Sequence, residues 1–179
     1  MKLMHSNWLS AAKRSGGVGL VEVLVALIVI AVGMLGIASL YVISLQAKTT
    51  AAARMQAVNL AYDMADRIRA NRTAANAYAL SSAAAGTVTA PSTLCGSSAS
   101  TNCSNTQMAA ADLYLWDQMV KGTNGTTVSG TNGLPGNVTR QIAFTAAAGL
   151  NPAMYTIQLN WGEPNSGGVT QSYQLEVRI

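Results

Sequence analysis

The sequence predicts an α+β fold in which a long N-terminal helix packs on a C-terminal antiparallel sheet. Three observations predict this fold. A long apolar run begins at Val23, a stretch without glycine or proline follows it as far as Arg72, and three runs near the C-terminus are rich in β-branched and aromatic residues. A chain of 179 residues is long enough for one ordinary domain plus an accessory segment.

The first part of the helix, residues 18–45, predicts a membrane span. From Val23 to Ala47 no side chain ionises apart from that of Tyr41. A helix over that run covers roughly 37 Å, which exceeds the ~30 Å hydrocarbon core of a bilayer. The composition agrees, because 50% of the residues are hydrophobic and only 10% are charged.

Residues 46–72 predict an amphipathic continuation of the same helix. Counted from Val18 to near Asn71, the helix would be roughly 80 Å long at about 1.5 Å per residue. An apolar stripe recurs at helical spacing, and the charged residues lie on other faces. We therefore expect the second half to pack on a folded domain through this stripe, which consists of Ala51, Met55, Val58, Tyr62 and Ala65.

The rest of the chain changes character twice. Residues 73–105 are rich in Ala, Ser and Thr and predict a loop region with little core. Residues 106–179 predict a short helix followed by a sheet. The helix covers residues 106–120 and stops at Gly122, and its helically spaced residues are Met108, Asp112, Leu113, Trp116 and Met119.

The three strand runs are NVTRQIAF, MYTIQLNW and VTQSYQLEVRI. The last two alternate well, and the segment EPNSGG between them predicts a hairpin turn. A meander whose apolar face covers the second half of the long helix is the simplest arrangement. The residues expected to share a face are Tyr155, Ile157, Leu159 and Trp161 in one strand, and Val169, Tyr173, Leu175, Val177 and Ile179 in the next.

Charge and histidine content exclude several functions. Three of the four net positive charges come from Lys2, Lys13 and Arg14, because after Gly17 there are eight basic residues against seven acidic ones. Removal of the first 17 residues would leave no field that gathers phosphate. The only histidine is His5, so the remainder lacks the usual Ser/His/Asp and Cys/His constellations and most zinc sites. We expect no metal, no cofactor and no catalytic residue.

The N-terminal segment fits more than one targeting signal. An ordinary signal peptide has an apolar region of 7 to 15 residues, about half the length of this run, and Glu22 would be an unexplained cost within it. A plain signal anchor fits the length, but it gives no purpose to Glu22 or to the Gly16-Gly17 pair. The junction of KRSGG with VGLVEVLVALIVI resembles the class III signal of type IV pilins and type II secretion pseudopilins.

This resemblance implies that prepilin peptidase cleaves between Gly17 and Val18 and methylates the new amino group of Val18. The apolar segment then stays in the mature protein. The leader, residues 1–17, lies in the cytoplasm of a bacterium, and the rest of the chain beyond the inner membrane lies in the periplasm. In that compartment Cys95 and Cys103 should form a disulfide, since a metal site would need more ligands than two thiols.

The same processing predicts a role for Glu22 in assembly. Its carboxylate lies one helical turn from the amine of Val18, at the positive end of the helix dipole. In line with the family, we expect the partner in a filament to be the Val18 amine of a neighbouring subunit. The alternative is a carboxylate that snorkels to the interface. Gly33 and Gly36 predict either a point where the helix loosens or a close helix–helix contact, and the sequence does not separate these two interpretations.

Further segments resemble a minor pilin of the type IV pilus. They are GLVEVLVALIVIAVGMLGIASL, NLAYDMADRIRANR, ADLYLW, GLPG, YTIQLNW and the cysteine pair. The resemblance implies a scarce subunit that joins other minor pilins at the pilus tip and primes polymerisation of the major pilin on the inner-membrane assembly platform. It would help to present the tip adhesin, and so support twitching motility and adhesion. A minor pseudopilin of a type II secretion system is the alternative with the same architecture.

Two remoter functions depend on charged residues. A membrane-anchored periplasmic enzyme would use acids from Asp63 with Asp66, Asp112 with Asp117, and Glu163, although ion pairs on a helix surface explain the first pair equally well. A DNA-uptake pilin would use a basic patch at the end of the helix, formed by Arg67, Arg69 and Arg72.

Overall fold

The computed structural model describes residues 17–95, 102–122, 133–163 and 169–179. The chain divides into two compact units, one ending at Ile43 and the other running from Ser44 to Ile179. The elements are helix α1 (Leu20–Ala70), a 3-10 helix (Arg72–Tyr78), strand β1 (Leu80–Ala84), helix α2 (Asn105–Lys121), and strands β2 (Thr139–Thr145), β3 (Met154–Gly162) and β4 (Thr170–Arg178).

In the first unit, α1 starts at Leu20 rather than at the predicted Val18. It is long and apolar enough to cross a membrane, and its most apolar segment is not buried within the protein. This result agrees with the expected span over residues 18–45 on length and composition.

In the second unit, α1 buries a different face from the one predicted. Of the predicted stripe, Ala65 is buried, whereas Met55 and Tyr62 are 67% and 48% exposed. Four of the residues that are buried are alanines at four-residue spacing, so α1 presents a flat surface that lets other elements approach closely. The buried residues are Ala53, Ala57, Leu60, Ala61, Met64, Ala65 and Ile68.

The prediction of a loop with little core over 73–105 is wrong for its first part. The 3-10 helix and β1 occupy it, and both Ala74 and Tyr78 are buried. Ala75 lies inside the 3-10 helix with a φ of 49°, which is unusual for a residue other than glycine. The pattern was hard to detect because small Ala and Ser residues carry no hydrophobic period.

Helix α2 agrees with the prediction and extends it by one residue at each end. Ser104 caps it, and the side chain of Gln107 completes a capping box. Gly122 ends the helix in the left-handed conformation, with φ 72°, as expected of a C-terminal glycine. Of the helically spaced residues, Leu113 and Trp116 are buried in the core.

The sheet is an antiparallel meander in the order β1-β2-β3-β4. The alternation predicted for β3 is confirmed, because all its apolar residues from Tyr155 to Trp161 are buried. Tyr155 lies opposite Phe144 on β2 and Val177 on β4, so the apolar residues of the three strands share one face. Residues 164–168, most of the predicted EPNSGG turn, lie outside the described ranges.

The apolar face of the sheet, α2 and the alanine face of α1 form one core. Trp116 is fully buried, and its indole Nε1 donates a hydrogen bond to the carbonyl of Leu60 at 2.8 Å. Trp161 is almost as buried, but its Nε1 finds no acceptor within the part of the chain that the structure describes. The two tryptophans therefore lie in the same core, but only the indole N–H of Trp116 has a hydrogen-bond acceptor among the described residues.

Replacing Trp116 by Phe should lower the free energy of unfolding by about 0.5–1.5 kcal/mol more than replacing Trp161 by Phe. Both changes remove the same part of a buried indole, but only the first breaks a hydrogen bond. Urea unfolding of the two variants in detergent micelles, followed by far-UV circular dichroism, measures the difference. Equal losses would show that the Trp116–Leu60 bond contributes nothing.

Candidate processing and assembly site

The segment before α1 is exposed and not helical. Gly17, Val18 and Gly19 precede the first helical residue, and Val18 is 70% exposed. The carbonyl of Gly19 accepts hydrogen bonds from the backbone N–H groups of Glu22 and Val23, at 3.0 and 3.3 Å. The peptide bond between Gly17 and Val18 thus lies outside the hydrogen-bonded helix. The leader, residues 1–16, lies outside the described ranges.

Glu22 occupies the first turn of α1. It is the one acid between Val18 and Ala47. Its position in the first turn places it near the positive end of the helix dipole. Among the described residues, no cationic side chain forms an ion pair with it. The carboxylate is therefore available for a partner outside the chain or for the amine that cleavage would create.

Helix α1 continues without a break through Gly33 and Gly36. A Cβ atom added at either position would meet nothing within 4 Å. The hydroxyl of Ser39 donates to the carbonyl of Gly36 at 2.8 Å, a bond that adds a side-chain donor to the helix backbone at this point. Both interpretations of these glycines, loosening and close packing against another helix, remain proposals.

The acids of the enzyme hypothesis are engaged in ion pairs. Asp63 pairs with Arg67 at 2.8 Å, and Asp66 pairs with Arg69 at 3.0 Å. Glu163 pairs with Arg54 at 2.9 Å. Each of these three acids therefore has a different arginine as its partner.

Asp112 and Asp117 also have separate partners. Asp112 accepts hydrogen bonds from Arg67 at 2.9 Å and from the hydroxyl of Tyr78 at 2.6 Å. Burial and the bond to Asp112 raise the pKa of Tyr78 above its ordinary value. A raised pKa keeps the phenol neutral in the folded state, so its stabilising effect is lost as the pH rises above about 10. This network joins the C-terminal end of α1 to α2.

Asp117 is fully buried and pairs with Arg140, which is 2% exposed, at 2.7 Å. The second Asp117 oxygen accepts from the backbone N–H of Val88 at 2.8 Å. The Arg140 guanidinium also donates to the Ser81 carbonyl and the Thr87 hydroxyl, at 3.2 and 3.0 Å. Sequence reasoning missed Arg140, although its alternation with Ile142 and Phe144 would have placed it on the core face of β2.

Two of the three arginines in the basic patch of the DNA-uptake hypothesis are paired with acids. Arg67 and Arg69 are neutralised by Asp63, Asp66 and Asp112. Arg72 alone of the three has no acid partner among the described residues. A single free guanidinium gives little of the counterion release that drives nucleic-acid binding.

The cysteine prediction is confirmed, because Cys95 and Cys103 form a disulfide. Cys95 is buried, and Cys103 directly precedes Ser104, the capping residue of α2. The disulfide thus links the buried Cys95 to the residue that precedes the cap of α2. Within the described ranges, no group of three His, Cys, Asp or Glu side chains could hold a metal ion.

Two family models match the chain, and their matches adjoin along the sequence. The prokaryotic N-terminal methylation motif matches residues 12–38, which contain the Gly17–Val18 junction and Glu22. The model of type IV pilin Tt1218 matches residues 39–114. No curated protein matches the chain, and no solved structure does.

A long N-terminal helix packed on a four-stranded antiparallel sheet, with a methylation motif at the start of that helix, is consistent with the type IV pilin fold. Together, these two matches support a type IV pilin with a class III signal. Members of this family are structural proteins. The motif implies processing by a prepilin peptidase and assembly with other pilins, and the apolar helix fits membrane anchoring.

Replacing Asp117 by Asn should lower the free energy of unfolding by about 3–5 kcal/mol, because it leaves the buried Arg140 charge without its counter-charge. The matched control is Asp66→Asn, since the Asp66–Arg69 pair is largely exposed and should cost less than about 1 kcal/mol. Urea unfolding in detergent micelles compares the two variants. A small loss for Asp117→Asn would mean that Arg140 finds another partner.

Proposed function

We propose that the protein is a minor pilin that helps to prime type IV pilus assembly at the inner membrane and forms part of the pilus tip. The observation that carries the proposal is the methylation motif at the start of an apolar segment, residues 18–47, whose single acid is Glu22. The match to a type IV pilin over residues 39–114 extends this support into the second unit. The resemblance of several further segments to the minor pilin PilV favours a minor rather than a major subunit.

Processing is the first step of the proposed function. Prepilin peptidase cleaves between Gly17 and Val18 and methylates the amino group of Val18. The geometry supports this step, because a protease needs exposed backbone outside regular structure and both residues lie before the first helical turn. Cleavage removes the charged leader and leaves an apolar helix with a cation at its start.

Assembly then depends on compensation of the Glu22 charge. A charge left alone near the centre of a bilayer costs roughly 2.5–3.5 kcal/mol on insertion scales. Glu22 has no cationic partner among the described residues. An amine supplied by another subunit would therefore lower the free-energy cost of burying its carboxylate in lipid. We propose that the amine is the methylated Val18 of a neighbouring subunit, and that this pairing sets the axial register of the filament.

The glycines of α1 have a place in the same process. Gly33 and Gly36 each weaken the helix by up to about 1 kcal/mol relative to Ala, so they form the proposed weak point where α1 loosens as the subunit leaves the bilayer. Close packing against a neighbouring helix is the alternative role, and the absence of atoms within 4 Å of an added Cβ leaves room for it.

The proposed partners follow from this role. They are the prepilin peptidase, the other minor pilins, the major pilin, the tip adhesin and the inner-membrane assembly platform. The protein would cross the inner membrane once with its C-terminus in the periplasm, and then become part of the pilus tip, where it would support twitching motility and adhesion. The disulfide between Cys95 and Cys103 is compatible with an oxidising periplasm.

A minor pseudopilin of a type II secretion system is the second candidate, because the junction around Glu22 occurs in both classes. The two functions differ in the process that is lost when the gene for the protein is deleted. A minor pilin is needed for surface pili and twitching, whereas a pseudopilin is needed for the release of secreted proteins.

The mature protein should begin with N-methylated Val18. Intact-mass spectrometry and N-terminal sequencing of the protein from cell envelopes test this prediction, with a strain lacking the prepilin peptidase as the control. In the control strain the leader should remain attached. Recovery of the uncleaved chain from the strain with active peptidase would overturn the proposed processing.

Replacing Glu22 by Ala should reduce incorporation into pili on the order of tenfold or more, since the charge pairing is lost while the helix remains. The control is Glu176→Ala, which removes an exposed acid of β4. Immunoblots of sheared pili, twitching zones and the amount of secreted protein are measured together. Normal pili and twitching combined with blocked secretion would instead identify a pseudopilin.

A further inference from the structure

The second unit contains an open groove that the proposed function does not use. It lies between the 3-10 helix, the segment that joins β2 to β3, and the last residue, Ile179. Its volume is about 620 Å³, within the range of pockets that hold small ligands or a few side chains. Most of its lining residues are apolar, and they include Phe144, Pro152 and Ile179.

The walls of the groove are held in place by buried groups. The hydroxyl of Tyr155 donates to the carbonyl of Ala75, the residue with the unusual positive φ. The ring of Phe144 packs on Tyr155 with centroids 4.9 Å apart. The backbone N–H of Ile179 donates to the carbonyl of Ala153 at 3.0 Å. Since Tyr155 is buried in the core, the walls formed by Ala75 and Phe144 are anchored to that core.

Arg72 is the one charged side chain among the residues that line the groove. The other described arginines that contact acids are neutralised within the protein, whereas Arg72 lies within ion-pair distance of no acid in the described ranges. Its side chain is exposed and lines the groove. A free guanidinium with five donors, next to an apolar wall, matches a carboxylate carried on an apolar segment.

An exposed apolar turn stands beside the groove. The chain leaves the groove at Ala147, turns through Gly149 and Leu150, and returns at Pro152, with Ala148 and Asn151 paired across the turn. Leu150 at the tip is fully exposed. A large apolar side chain next to an apolar groove extends the surface available to a partner.

We propose that this groove, together with the turn that carries Leu150, docks an extended apolar segment of a protein partner whose Asp or Glu side chain pairs with Arg72. The apolar walls disfavour a strongly hydrated ion such as inorganic phosphate, because such an ion would lose its water without enough polar replacements. The inference stands independently of the minor-pilin role, since it rests on the groove and its charge alone.

The test uses the mature full-length chain in nanodiscs of zwitterionic lipid, with 13C-labelled isoleucine δ1 methyl groups. The probes are the peptides acetyl-Leu-Asp-Leu-amide and acetyl-Leu-Asn-Leu-amide, which differ only in charge. Ile179 reports on the groove, and the fully buried Ile68 is the internal reference. We expect a saturable shift of Ile179 but not of Ile68, with the Asp peptide bound about two- to fivefold more tightly.

Three exposed positions separate the contributions. Arg72→Gln should abolish the preference for the Asp peptide, whereas Lys48→Gln, which removes a distant exposed cation, should keep it. Ala147→Trp should fill the groove and abolish binding of both peptides. An unchanged Ile68 signal shows that each variant is folded.

Three results would overturn the proposal. The first is the absence of a shift at Ile179, and the second is equal affinity for the two peptides. The third is a shift of Ile179 that depends on protein concentration without peptide and disappears in Leu150→Ser, which would assign the groove to a second copy of this chain. Failure of Glu22-dependent assembly would leave all of these measurements unaffected.

Discussion

The second unit depends on the close approach that alanines allow on one face of α1. Ala53, Ala57, Ala61 and Ala65 recur every four residues and are all buried. With side chains this small, the indole of Trp116 reaches the backbone carbonyl of Leu60 at 2.8 Å. A larger residue on this face would overpack the core and force the facing elements apart. The helix therefore supplies a surface, and most of the apolar volume comes from α2 and the sheet.

Helix α2 is fixed by polar groups on two sides. Asp112 bonds to Arg67 and Tyr78 at the end of α1, while Asp117 pairs with Arg140 on β2. Because residues five apart project from different sides of a helix, the two acids address different neighbours. A buried ion pair is not by itself a source of stability, but it requires a specific partner at a specific place. The pair therefore favours one docking position of α2 over others of equal apolar contact.

Much of the fold could be predicted from the sequence, because the decisive patterns are long or carry specific terminators. The apolar run of α1, the Ser104 and Gly122 ends of α2, and the alternation of β3 are of this kind.

Strand β1 could not be predicted, since LSSAA contains one large apolar residue and its position depends on Arg140 contacts from another strand. The buried face of α1 was predicted wrongly because the prediction assigned large apolar side chains to the core. In the structure, Met55 and Tyr62 are exposed and the alanines are buried. For the site, the junction around Val18 was apparent from spacing. The groove at Arg72 could not be predicted, because it combines residues from three segments that are far apart in the sequence.

The order of the sheet has a consequence for how the second unit reaches its native state. Strands β2, β3 and β4 pair with their neighbours along the chain, so their contacts have short sequence separation. Low contact order favours rapid folding, because little loop-closure entropy is lost before contacts form. Only the pairing of β1 with β2 must enclose α2. The three strands β2, β3 and β4 can therefore pair without a long loop closure, whereas β1 reaches the edge of β2 only when the chain between them has enclosed α2.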